Sequence, residues 1–464
     1  MPPTTDFRPR LLLTVMCVGY FLILLDVTIV SVALPHIRTD LHAGVAGLQW
    51  VVDGYAVALA SLLLPSGVLG DVRGHRPVVL TGLAIFGLAS LACGLAPISA
   101  VLIVGRVAQG VGAAMLLPGT LAIIARAYPD RRDQARAIGL WAAIGSLALP
   151  AGPLFGGLLV ESVGWRGVFW FNVPIVAVAY AAVASLTPTD RPNGARRLDR
   201  VGTVLACATL ACVTYTLTRL GNDGFDTVSA ATLIVAPVLL AAFVLIERGH
   251  PDPILPLPLL RHRAFVTANG IALVMNLGTL GLLFVLTFFL QTVQQRSALE
   301  AGIALIPLFL PLALLAPVAG RLAARLGPRP PIIGGLALAT VGVLLFVGSG
   351  TDTHYTALML PMLAWGVGLA FLTPAVVAAA VAAVPSSRAG LASGVNNTCR
   401  QAGGAIGIAA YGSLAGDPNG ARFVAGLHAT AVVTAVLFLT AAVVALLMLE
   451  RPRHGVSDPA DREL

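Results

Sequence analysis

Two carboxylates and one guanidinium stand inside runs of sequence apolar enough to cross a bilayer, and these are the groups best placed to do chemistry. Asp26 sits in the middle of FLILLDVTIVSVALP, Phe21 to Pro35. An ionised side chain at such a depth costs about 2.5 to 3.5 kcal/mol on insertion scales, so it is a functional candidate that needs a partner. Counted from the end of its apolar run, Asp26 lies about eight residues in, roughly 12 Å at the helical rise. Arg106 enters a later apolar run from the same side at comparable depth and is the expected partner. A carboxylate that exchanges an arginine for a proton can couple proton movement to a change of shape, whereas a fixed pair only ties two helices together. Both readings fit, since Arg106, Gln109, Gly110 and Ala113 share one helical face. Asp53, in WVVDGYAVALA, is expected nearer the outer mouth of the second run, where it binds protons or substrate, or is merely hydrated or bonded to Tyr55 or a neighbouring helix. Trp50, Tyr55 and Gln109 are candidates for lining a cavity between these runs.

The elements that must position these groups are membrane helices. Hydrophobic residues make up 57% of the 464 and charged ones only 11%, against about 25% charged in a soluble domain. Runs long enough to span about 30 Å of hydrocarbon begin near residues 11, 48, 77, 100, 137, 167, 201, 227, 264, 300, 330, 355, 390 and 424. That gives fourteen transmembrane helices in an all-α polytopic membrane protein, with the spans around Cys207 and Ile234 the least distinct. All 29 basic residues are Arg, and their absence of Lys beside abundant Ala, Gly and Pro points to a GC-rich bacterial genome. With the N-terminus inside, 22 of them fall on the inner side, five outside (Arg38, Arg166, Arg219, Arg296, Arg422), and Arg106 and Arg400 within spans. The positive-inside rule therefore places both termini in the cytoplasm, with the chain in the cell membrane. The arginines stand singly or in pairs rather than on one basic face, so nucleic acid is not an expected partner. Five cysteines without a CxxC spacing read as packing residues, and no cluster has metal-ligand or nucleophile spacing. A P-loop cannot exist without Lys, so no cofactor and no direct use of ATP are expected. Arg8 and Arg10 precede an apolar run too long for a signal peptide, which reads as the first span.

The chain repeats itself. GVLGDVRGHR (Gly67 to Arg76) and GRLAARLGPR (Gly320 to Arg329) share G-x-L-x-x-x-x-G-x-R at the same helix end. Two six-helix halves follow, residues 1–187 and 264–450, with a linker and two extra helices over 188–263 and a cytoplasmic tail over 451–464. Between the halves, TPTDRPNGARRLDR leads into the extra pair and a Pro-rich basic stretch leads out.

With these motifs on the page the sequence resembles the major facilitator superfamily, and within it the fourteen-helix drug:proton antiporters, over nearly its whole length. LDVTIVSVALP is similar to the family's first-helix motif, with Ser31 where Asn is usual. Gly67, Leu69, Asp71, Gly74 and Arg76 match the loop motif after the second helix, and Arg106, Gln109, Gly110 and Gly112 the fourth-helix motif. Gly145, Pro150, Gly152, Pro153, Gly156 and Gly157 match the fifth-helix antiporter motif, with Leu149 where Gly is common. WRGVFWFNVP, LDRVG and NNTCRQAGGAIG complete the series in order.

The resemblance implies a major facilitator fold whose first and fourth helices line a central cavity, bringing Asp26 near Arg106. It implies that Gly67, Asp71, Gly74 and Arg76 form a latch at the cytoplasmic face, one-sided here because the repeat carries Ala324 opposite Asp71. Arg73, Arg76, Arg325 and Arg329 otherwise act as topology charges. In the fifth helix, Gly145, Gly152 and Gly156 form a small-residue stripe for close approach, Pro150 and Pro153 should bend it, and the helix is expected to pack on the other half. Gly403 and Gly407 repeat that logic. Arg400 is expected at the interface, Arg219 and His428 to snorkel to water, and Glu300 with Ser297 to cap the tenth helix. The expected function is proton-coupled antiport exporting small amphipathic compounds, drugs or antibiotics, by a monomer, with no enzymatic activity. No acid lies between Ile303 and Gly320 in the tenth span, which favours monovalent cations, neutral lipophiles or a secondary metabolite over divalent organic cations. Two alternatives stand beside it: a dedicated exporter of one endogenous secondary metabolite and, remotely, a non-transporting membrane sensor or enzyme.

Overall fold

The computed structural model describes residues 7–128, 130–187, 199–222, 224–250, 253, 257–384 and 389–449. Most of the linker into the extra helix pair, much of the Pro-rich stretch after it and the tail therefore lie outside the described residues. Of some residues within the helices, Asp71, Pro150 and Ala324 among them, the backbone is described but not the side chain.

Helices account for every long element. The first half comprises α1 (Phe7–Leu41), α2 (Val45–Arg73), α3 (His75–Gly94), α4 (Ser99–Ala127), α5 (Arg131–Val163), α6 (Gly167–Trp170) and α7 (Asn172–Leu186). The extra pair is α8 (Arg200–Asn222) and α9 (Thr227–Gly249). The second half comprises α10 (Arg263–Phe288), α11 (Ala298–Ala304), α12 (Ile306–Leu326), α13 (Arg329–Leu344), α14 (Tyr355–Ala382), α15 (Ala389–Ala415) and α16 (Phe423–Met448). Among the described residues eleven helices are long and apolar enough to cross a membrane, and α11 with α12, bent by 45° at Leu305, makes a twelfth. Helices α5 and α15, at 33 and 27 residues, also exceed what a ~30 Å hydrocarbon core requires. The starts fall within a few residues of the apolar runs because helix length is fixed by bilayer thickness.

The least distinct spans are the most peripheral. The apolar windows of α8 and α9 are 22% and 11% buried, against 78% for α2. Their exposed Leu233, Ile234, Val238 and Leu245 face outward, as side chains in contact with lipid do. Helix α8 packs on α9, and on its other side on α2 and α15. The two halves meet along α2 with α15 and along α5 with α11 and α12.

Glycine sets how closely these helices approach. A methyl group on Gly403 or Gly407 of α15 would run into the backbone carbonyls of Leu273 and Leu277 on α10. The stripe Gly145, Gly152 and Gly156 receives Tyr20, Thr28 and Ile29 of α1, so it joins helices of the same half. Contact with the other half falls instead to Gly157, whose Cβ position lies 2.6 Å from Leu299 Cα, and to Pro153, whose carbonyl abuts Gly302. Helix α5 continues through its prolines as one element. Ser297 and Glu300 form the expected capping box at α11.

The repeat is visible in its arginines. Arg76 Nη2 donates to the Ala184 carbonyl at 2.6 Å, and Arg329 Nη2 to the Leu446 carbonyl at 2.5 Å. Each carbonyl is two residues from the end of the last helix of its half, where free carbonyls and the helix dipole favour a cation.

Candidate functional site

Asp26 is deeper than its apolar run suggested, because α1 continues through Pro35 to Leu41. The acid therefore lies 15 residues from that end, about 22 Å along the axis. Arg106 is seven residues into α4. The structure brings the two together as a fully buried ion pair between Arg106 Nη1 and Asp26 Oδ2.

Several polar groups hold this pair in an apolar surround. Arg106 Nε donates to the Val51 carbonyl at 2.9 Å, and Nη1 also reaches Gln109 Oε1 at 3.0 Å. Its guanidinium lies over the Tyr55 ring, 4.4 Å from the centroid, with Phe169 at 5.9 Å. Tyr55 is itself fixed by donating to the Ile23 carbonyl at 3.1 Å. Gln109 donates to Ser90 Oγ at 2.8 Å. Asn172 Nδ2 donates to the second oxygen, Asp26 Oδ1, at 3.1 Å. A buried pair repays its desolvation only when the remaining lone pairs and protons are satisfied, and five helices (α1, α2, α3, α4, α7) build the network that does so here. Arg106 Nη2 alone is left without a partner among the described residues.

A small pocket adjoins the pair. Ser31, Tyr55 and Arg106 border it from the first half, and Leu280, Phe284 and Gln401 from the second. Tyr55 is thus a cavity residue, Gln109 stands behind Arg106, and Trp50 turns away to Tyr215 on α8, 6.5 Å between ring centroids. Asn172 and Ser90 were not singled out from sequence. The signal for Asn172 was an amide inside the apolar stretch WRGVFWFNVP, and only the fold shows where it points.

Asp53 is buried and makes no hydrogen bond to Tyr55. It is eight residues into α2, 0% exposed, and neither carboxylate oxygen has a hydrogen-bond partner among the described residues. It lies on the helix face of Gln49 and Ala56. Gln49 Nε2 donates to the Ala409 carbonyl of α15 at 3.0 Å, and Ala56 packs with Ala405 and with Leu210 and Ala211 of α8. Trp50 of α2 meets Tyr215 of α8, the ring centroids 6.5 Å apart, where the two helices pack together. The Thr214 hydroxyl of α8 is likewise buried and without a partner among the described residues. Helices α8 and α15 both pack on α2 over the stretch that carries Asp53.

At the α2–α3 corner, Gly74 adopts φ +95°, and its N–H donates to the Gly70 carbonyl at 2.8 Å. Gly67 needs no such freedom, since its Cβ position is an ordinary 3.7 Å from Pro118. The Asp71 side chain lies outside the described residues. Arg219, expected to snorkel to water, is partly exposed and pairs with Asp226 at 2.7 Å across the α8–α9 turn, and its guanidinium holds the Asp226 carboxyl well below the usual carboxylate range. His428 Nε2 contacts the Ser349 carbonyl at 2.6 Å. Arg400 is not interfacial: it is eleven residues into α15, level with the middle of α2.

A model of the Major Facilitator Superfamily matches residues 16–408. The chain belongs to that superfamily. Among the relatives of this facilitator, the multidrug resistance protein Stp of Mycobacterium tuberculosis is 35% identical over 398 residues, 85% of this chain and 74% of its own. The tetracenomycin C resistance and export protein of Streptomyces glaucescens is 34% identical over 409 residues, 88% and 76% of the two chains. A solved peptide transporter POT in complex with sulfate superposes on the facilitator with a TM-score of 0.72 over 95% of each chain, at 15% identity, a likeness of fold.

Proposed function

We propose that this facilitator is a fourteen-helix drug:proton antiporter that exports small amphipathic compounds across the cytoplasmic membrane as a monomer, with both termini in the cytoplasm. The observation that carries this reading is the buried Asp26–Arg106 pair beside a pocket shared by both halves. The relatives named for multidrug resistance and for export supply the direction of transport.

In this reading the two six-helix halves, residues 1–187 and 264–450, rock about a site near the midplane. Protonation of Asp26 removes the charge that Arg106 balances and frees the guanidinium, and loss of the proton restores the pair. Transport is coupled because the two arrangements of the pair belong to different arrangements of the halves. Asp53, buried and without a hydrogen-bond partner among the described residues, is a second proton carrier. The end bearing the α1–α2 turn is the outer one, and contacts between halves gather there: Arg38 to Asp417 at 2.8 Å, Gln291 to the Val32 carbonyl at 3.0 Å and the Leu299 N–H to Glu161 at 3.0 Å. This supports a conformation closed outside and ready to load from within. Outside that closure lies a vestibule of about 600 Å³ bordered by His36, Gln291 and Arg296. Gly67, Asp71, Gly74 and Arg76 latch the opposite end in the alternate state, and Gly157 with Pro153 seals α5 against α11.

The test is ΔpH-driven uptake of a substrate panel into inverted membrane vesicles, wild type against Asp26→Asn. Coupled uptake is lost in the variant. Transport by Asp26→Asn with unchanged pH dependence removes the proton from this residue.

A further inference from the structure

The vestibule outside the closure collects cations and no acids. Of the eleven residues that border its volume of about 600 Å³, two are arginines, Arg38 and Arg296, two are histidines, His36 and His42, and none is Asp or Glu. The carboxylates nearby are committed to other groups. Both oxygens of Asp417 accept from Arg38 Nη2, at 2.8 and 3.0 Å, and one also accepts from the Asn419 N–H at 2.9 Å. Asp40 accepts from Trp165 and Arg166, Glu161 from the Leu299 N–H, and Glu300 from the Ser297 N–H.

Donors are left over in this cavity. Arg38 Nη1 is buried without a partner among the described residues. Arg296 Nε donates to Gln294 Oε1 at 3.1 Å and its guanidinium lies over the Tyr355 ring, 5.0 Å from the centroid, but its two terminal nitrogens make no hydrogen bond and meet no carboxylate among the described residues. Guanidinium groups donate and cannot accept, so neither arginine can satisfy the other. An anion with several oxygens relieves both. The lining also departs from regular backbone. His42 and Gln295 are the two non-glycine residues with positive φ among the described residues, +51° and +53°, and they border the cavity from opposite halves. Gln291 and Thr292, bordering it too, lie in a π-helical turn, Phe289–Val293. Both kinds of irregularity gather where chains clamp ligands.

We propose that the outer vestibule is a binding site for an oxyanion, phosphate or carboxylate, held between Arg38 and His42 of the first half and Arg296 of the second. Asp417 already balances Arg38, so Arg296 supplies most of the attraction, and its fork suits two oxygens at once. An occupant bridges parts that must separate for the outer side to open, so it favours the closed arrangement and slows release of an exported compound. The site rests on the export reading only for the side it faces and the step it slows.

The test titrates inorganic phosphate into the purified full chain in phosphatidylcholine nanodiscs, with potassium chloride at matched ionic strength as the reference, and follows the melting temperature. Phosphate raises it saturably and chloride does not. Arg296→Gln melts as wild type does without phosphate but binds phosphate about tenfold more weakly, the loss of one charge-assisted hydrogen bond. Arg296→Lys recovers part of the loss, and His42→Asn, which suits the positive φ, weakens binding severalfold. Arg422→Gln, at an outer arginine that does not border the cavity, leaves phosphate binding unchanged. Phosphatidylglycerol in the nanodiscs tells the sources of the oxyanion apart: competition with phosphate assigns the site to a lipid headgroup, and unaltered phosphate affinity assigns it to a free anion. No saturable shift in wild type, or equal phosphate binding by wild type and Arg296→Gln, overturns the site. In inverted vesicles the outer face lines the lumen, so phosphate sealed inside slows ΔpH-driven uptake severalfold for wild type and not for Arg296→Gln. Uptake indifferent to luminal phosphate, despite binding, overturns the slowing of release, whereas phosphate binding by a protein that shows no uptake under any gradient refutes export and leaves the site standing.

Discussion

Asn172 donates its amide to Asp26 at 3.1 Å, from a helix 146 residues further along the chain, so one carboxylate ties α1 to both α4 and α7. Replacing Asn172 with Leu leaves an oxygen of a buried, charged acid without its donor, a loss of about 1 to 3 kcal/mol. Thermal denaturation of the purified protein should show the loss, and Asn172→Asp, which sets a second acid beside Asp26, should be worse than Asn172→Leu. A variant as stable as wild type would mean that Arg106 alone satisfies the acid.

Asp26 and Asp53 should respond in opposite senses to neutralisation. Asp26→Asn strands a buried guanidinium and is expected to destabilise by about 3 to 5 kcal/mol. Asp53 has no bonded partner among the described residues to strand, so Asp53→Leu relieves an unsatisfied buried acid and should stabilise by about 1 to 3 kcal/mol. Paired denaturation curves decide this, and uptake measurements on the same preparations should show Asp53→Leu impaired in ΔpH-driven transport despite its greater stability.

The glycines of the motifs separate by what surrounds them. Gly157→Ala forces backbone against backbone at Leu299 and should spread α5 from α11, lowering transport severalfold. Gly74→Ala places a side chain at φ +95° and should cost at least about 1 kcal/mol. Gly67→Ala meets only an ordinary contact, and Gly320→Ala meets nothing within 4 Å, so both should be neutral or gain about 1 kcal/mol of helix propensity. Equal tolerance at Gly157 and Gly67, measured by uptake and melting temperature, would contradict the packing.

The turn joining the extra helices should respond to acid. The Arg219 hydrogen bonds, then those from Ser229, lower the Asp226 carboxyl below its unfolded value of about 3.9. A depressed folded value means that the contribution is present at neutral pH and is lost as pH falls below about 4 toward the folded value. Wild type should therefore melt above Asp226→Asn at pH 7, and the gap should narrow at pH 3. A gap that persists unchanged would assign the difference to the helix cap rather than to the charge.

Much of this molecule was legible along the chain, because bilayer thickness and positive charge act on local sequence. Fourteen apolar runs became the helical segments, with starts shifted by six residues at most, since a spanning helix must reach a fixed length whatever it packs against. An acid and an arginine in hydrocarbon each demanded a counter-charge, and few groups at the right depth were available, so Asp26 with Arg106 could be anticipated. What spacing could not supply was azimuth, the direction in which each helix face turns. It left Asn172 unremarked, could not say that the Gly145 stripe receives Tyr20, Thr28 and Ile29 of its own half, and expected Asp53 nearer the outer mouth when α8 and α15 pack over its helix. It also put Arg400 at an interface, because the end of a run is a poor guide to the end of a helix. Depth is a property of one helix and can be counted residue by residue, whereas partners depend on the rotation of several helices about their axes, which only their packing together decides.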